Sequence, residues 1–171
     1  MTMGHMTPEN QMLRKRRSIS RDKRLRTGLF GLTMGEHFVV WVFRTWLEGP
    51  ASRLTLDSAF QVHCGALNAE SASECFARLV ETLASHSRRT LGFHRAECIA
   101  ISASERTLLA LIAAAQVGNT DYASAVAEGL VPRKAAPGLV RHATTFAFML
   151  EVSGLRLPLR VARPVPVADC L

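Results

Sequence analysis

Through the middle of the chain, apolar residues recur at intervals of three and four, and the runs they form are marked at both ends. Thr33-Met34-Gly35-Glu36 has the form of a capping box. In such a box the Thr hydroxyl accepts from the backbone N–H three residues on, and the Glu carboxylate reaches back to the Thr N–H. The helix it opens is expected to run to Glu48, where Gly49-Pro50 stops it. Ser71-Ala72-Ser73-Glu74 has the same form and predicts a helix to about Ser85. Ser102-Ala103-Ser104-Glu105 has it again and predicts a helix to Gln116, ended near Gly118. Residues 55–64, TLDSAFQVHC, predict a short helix closed by Gly65. Thr120 is the expected cap of a helix from Asp121 to Glu128, ended by Gly129 and Pro132. Pro137 suits a first helical position. From there Leu139, Ala143, Phe146, Ala147 and Leu150 share one face of a helix that runs to Val152 and closes at Gly154.

Two segments break the period. Residues 87–101, SRRTLGFHRAECIAI, predict a loop ending in a short β-like apolar piece. Residues 155–171 contain three prolines and predict an extended arm. A two-stranded pairing of 97–101 with 155–161 is open on one edge only, because Pro158 lacks a donor. The fold expected is all-α: a single compact bundle of about six helices. A flexible basic arm (1–27) precedes the helical domain (28–154), and the Pro-containing arm (155–171) follows it. A chain of 171 residues that is 48% hydrophobic is long enough to bury a substantial core without a disulfide or metal staple.

The first helix has the most unusual pattern. In HFVVWVFRTWL apolar groups cover most of the circumference, and Glu36, His37, Arg44 and Glu48 form a single polar strip. A helix this apolar is expected to be buried on several sides. Besides interfacial insertion into a membrane, which the basic arm just upstream would assist, two roles stay open for it. It is a central core helix, or its aromatic residues Phe38, Trp41, Phe43 and Trp46 also form a surface for self-association or partner docking, where Trp is enriched among energetic anchors.

Charge changes the picture in one place. The chain carries a formal +7, and residues 1–26 hold eight basic groups against Glu9 and Asp22, a net of +6. The helical body is therefore nearly neutral, and the basic character belongs to Arg14, Lys15, Arg16, Arg17, Arg21, Lys23, Arg24 and Arg26. Such a run attracts phosphates, acidic proteins or anionic membrane surfaces through salt-screened electrostatics. It contains no aromatic residue for stacking on bases, so it supplies phosphate neutralisation without sequence readout.

The four cysteines (Cys64, Cys75, Cys98, Cys170) form no C-x-x-C pair and are expected to be reduced thiols, which places the protein in the cytoplasm. The longest uncharged helix-like run, Thr107 to Thr120, is too short for the ~30 Å hydrocarbon core, so integral membrane insertion is not expected. His94 and Cys98 lie four apart and would share a face if helical, but they make a single close pair where structural zinc usually needs two. No phosphate loop, dinucleotide turn or nucleophile elbow is present. Residues 105–128 place Gly118 at the turn of a helix-turn-helix, yet Asn119 and Ser124 stand where apolar residues are required, so an ordinary helical hairpin is expected.

No catalytic, cofactor-binding or metal-ligating set is thus expected. The function expected is that of a small non-enzymatic interaction, assembly or regulatory protein. The first helix would self-associate or dock a protein partner, and the basic arm would attract that partner. The alternative is a nucleic-acid-binding protein that contacts phosphates through the arm and residues 88–106, where Arg88, Arg89, Arg95 and Arg106 cluster in sequence.

Overall fold

The computed structural model describes residues 28–160. The basic residues from Arg14 to Arg26, and the chain from 161 onward, lie outside the described residues. The helices are α1 (Met34–Leu47), α2 (Arg53–Cys64), α3 (Ala66–His86), α4 (Ala103–Gln116), α5 (Thr120–Leu130) and α6 (Ala136–Val152). Short 3-10 turns precede α1 (Leu29–Gly31) and α2 (Pro50–Ser52). No strand occurs among the described residues, and the fold is all-helical and compact.

Two of the three expected capping boxes form, at Thr33 with Glu36 and at Ser102 with Glu105. The third does not. Ser71 and Glu74 lie inside α3, which starts five residues earlier at Ala66. Ala66-Leu67-Asn68-Ala69-Glu70 contains good helix formers and nothing that breaks a helix, and Ala69 is buried, so packing rewards extension back to Gly65. Gly65 serves both helices. Its φ of +76° turns the chain sharply between α2 and α3, a conformation that costs a residue with a Cβ. Asn119, rather than Thr120, caps α5, its Oδ1 accepting from the Tyr122 N–H at 3.1 Å. That helix continues past Gly129 to Leu130, which is fully buried.

The apolar face read from α6 is the centre of the molecule. Leu139, Ala143, Phe146, Ala147 and Leu150 have no exposed surface, and α6 packs against α3, α4 and α5. Alanines at 113, 114, 123, 127, 143 and 147 let α4, α5 and α6 approach closely. The other half of the core is aromatic. Phe76 of α3 sits 5.0 Å from Phe43 of α1, 5.9 Å from Phe60 of α2 and 5.6 Å from Phe146 of α6, centroid to centroid, within the range of favourable ring pairs.

The C-terminal segment from Leu155 to Arg160, which contains Pro158, is extended as expected, but it does not pair with 97–101. Leu155 and Leu157 are buried, and the side chain of Gln116 replaces a partner strand. Its Nε2 donates to the Leu155 carbonyl at 2.9 Å, and its Oε1 accepts from the Leu157 N–H at 2.8 Å. Residue 99 pairs elsewhere, accepting from the Leu29 N–H at 2.9 Å.

Candidate functional site

Helix α2 touches the core along one row, Leu56, Phe60 and Cys64, spaced four apart. This row makes a narrow contact, to which Ala59 adds partly, while the apolar side chains of Leu54 and Val62 face outward. Between α2 and α1 this leaves a groove of about 450 Å³. Phe38 lies in its wall, its ring 4.8 Å from that of His63. Trp41 and His37 line it from α1, and Ala59 and Val62 from α2. The rim is open to solvent and mixed: Met34 (68% exposed) and Val62 (78%) supply its apolar part, and Thr55, Ser58 and His63 are exposed beside them. Of the ten large apolar side chains exposed on the described surface, Met34 and Val62 line this groove.

The four aromatic residues read from α1 have different fates. Phe38 and Phe43 are core residues, 4% and 3% exposed. Trp46 is half-buried, edge-on to Phe76 at 5.6 Å and covered by the Arg53 guanidinium 5.4 Å from its ring, a cation–π arrangement. Phe38 and Trp41 both line the groove, and of these two only Trp41 is partly exposed. Met34 and Val62 complete it and were not singled out from the sequence. The signal was there in Val62, an apolar residue outside the 56-60-64 row.

Two residues of the α1 polar strip, Glu36 and Arg44, are buried, whereas His37 is partly exposed and Glu48 exposed. Arg44 is 2% exposed, and all five of its N–H donors are used. Nε and Nη2 grip Glu105 of α4 at 2.7 and 3.1 Å. Nη1 donates to the carbonyls of Arg95 (3.2 Å) and Cys98 (2.6 Å), and Nη2 to that of Ala100 (2.6 Å). Glu105 also accepts from the backbone N–H groups of Ser102 and His94. Burial alone would push its carboxyl up, but Arg44 and these backbone donors outweigh that and hold it below the usual carboxylate range. Glu36 repeats the device: Arg160 reaches it with Nε at 2.7 Å and Nη2 at 2.8 Å, while Thr33 N–H donates to it at 2.8 Å. Burial opposes ionisation here too, and the Arg160 and Thr33 hydrogen bonds again leave the carboxyl lowered. Each capping-box glutamate thus secures a helix N-terminus and an arginine that fixes an irregular segment.

Several residues of 88–106 take part in these and neighbouring contacts. Residues 92–102 form no helix, so the spacing of His94 and Cys98 does not place them on one face. Their backbones serve the Arg44–Glu105 clamp. Arg88 is committed to the end of α5 through its N–H to Leu130 and its Nε to Val131. Arg106 donates to the Ile101 carbonyl at 2.9 Å, while Arg89 and Arg95 are exposed. Among the described residues no three His, Cys, Asp or Glu side chains gather as a metal site. No helix of the described residues is long and apolar enough to cross a membrane.

The chain matches no protein-family model, no curated protein sequence and no solved structure.

Proposed function

We propose that this is a non-enzymatic interaction protein that docks an acidic, apolar-faced helix of a partner protein in the α1–α2 groove. The observation that carries the reading is the pairing of an open apolar groove, rimmed by Met34 and Val62, with a net +6 segment that ends close before it in the chain. An amphipathic helix lays apolar side chains at i, i+3, i+4 and i+7 into such a groove. Trp41 offers a large, rigid contact at low entropic cost, the type of residue that anchors binding. Acidic residues on the same helix would meet the basic run, which accelerates encounter and selects the charge of the partner. This keeps the docking role of the first helix but moves its surface from the aromatic set to Trp41, Met34 and Val62.

A direct test uses Trp46→Phe, which leaves Trp41 as the single tryptophan, titrated with a designed acidic amphipathic peptide at low salt. Saturable change in Trp41 emission is expected, together with a loss of at least tenfold in affinity for Val62→Asp, which puts a like charge in the groove. If the peptide bound Val62→Asp unchanged, or did not perturb Trp41, the groove would not be the docking site. Self-association through the same face would appear as concentration-dependent sedimentation without any peptide, and that result would replace the partner helix with a second copy.

A further inference from the structure

A second cleft, of about 550 Å³, lies on the opposite flank of α1's N-terminus. Its floor is apolar, with Leu32, Ile101, Leu109 and Val126. It has depth because small residues, Ala110 on α4 and Ala125 and Gly129 on α5, stand where larger ones would close it. A Cβ added at Gly129 would meet nothing within 4 Å. The volume falls within the range of sites that enclose small organic ligands, and an apolar lining with few convergent polar groups is their usual character.

The charges around it are unequal. Glu36, Arg106 and Arg160 are its ionisable side chains apart from the Tyr122 phenol. Arg160 and Glu36 neutralise each other through two short hydrogen bonds. Arg106 has no carboxylate within ion-pair distance among the described residues, and its one hydrogen bond there uses Nη1, leaving other guanidinium donors open. Among the described residues the cleft therefore offers an apolar body site and, at Arg106, a positive charge without a carboxylate partner.

We infer that this cleft binds a small apolar monocarboxylate, with the hydrocarbon part against Leu109 and Val126 and the carboxylate on Arg106. A neutral molecule would leave Arg106 without a partner among the described residues, and a single carboxylate supplies one. The assignment is independent of the α1–α2 groove and stands or falls separately.

The test is an NMR titration of the full chain with octanoate and, in parallel, 1-octanol, following the methyl groups of Ala110 and Val126. Octanoate is expected to shift both saturably and to bind more tightly than octanol. Arg106→Gln is expected to weaken octanoate about tenfold, the loss of one charge-assisted hydrogen bond, and to leave octanol unchanged. Ala125→Phe, at an exposed helical position, fills the cleft and should abolish both. Equal binding of acid and alcohol, insensitivity of octanoate to Arg106→Gln, or unaltered binding to Ala125→Phe would each overturn the proposal, as would the absence of saturable shifts in the native chain.

Discussion

Glu105 and Arg44 show how much of this molecule rests on single side chains. The carboxylate closes a capping box that is plain in the sequence, and it also neutralises an arginine from a helix 61 residues earlier. The box could be read because its two partners are three residues apart. The ion pair could not, because nothing local to Arg44 distinguishes a solvated arginine from a buried one. Removing one partner of a buried pair leaves an uncompensated charge and typically costs about 3–5 kcal/mol. Glu105→Gln is accordingly expected to lower unfolding stability by about 3 kcal/mol or more in denaturant titrations, with Arg44→Met plus Glu105→Gln costing less than the sum of the singles. The lowered carboxyls of Glu36 and Glu105 also set an acid limit. A folded-state pKa below the ordinary glutamate value of 4.5 contributes stability that is complete above that value and is lost as pH falls through the folded one. Stability measured from pH 7 downward should therefore hold until about 4.5 and then decline, more shallowly in Glu105→Gln.

At the scale of elements, the helices were legible where local chemistry fixes their ends. Thr33, Ser102, Gly49-Pro50, Gly65 and Pro137 are all close to where the sequence puts a boundary. The error at α3 has a physical origin: Ser-x-x-Glu also fits the surface of a continuing helix, and the choice between cap and surface depends on whether the preceding residues pack. Tertiary context also decided the C-terminal segment. Pro158 favours its extended form, but its seat follows from Gln116 and from Gly35, where the two backbones nearly touch. A Cβ on Gly35 would stand 2.7 Å from the Arg156 carbonyl oxygen, which real contacts do not allow. Gly35→Ala should displace the 155–160 segment although alanine favours helix. The expected outcome is faster amide exchange at Leu157, whose N–H is held by Gln116, with α1 itself still folded. Unchanged protection there would mean that the segment is not seated against α1.

For the whole molecule, the sequence separates a neutral helical body from a strongly basic run, and the body presents two clefts on either side of the first helix. The over-apolar pattern of α1 reports burial more than display: Phe38 and Phe43 join the aromatic core, and Trp41 with its neighbours on α2 lines the groove to which the proposed docking is assigned. Recognition in this account has two parts, apolar seating that salt does not weaken and electrostatic attraction that salt screens. They are separable by one experiment. The affinity of an acidic amphipathic peptide would be measured at low and high ionic strength for the native chain and for a chain whose eight basic residues between 14 and 26 are glutamine. The account predicts tighter binding by the native chain at low salt, convergence of the two at high salt, and a residual affinity in both that Val62→Asp removes. Equal affinity of the two chains at low salt, or no residual binding at high salt, would contradict it.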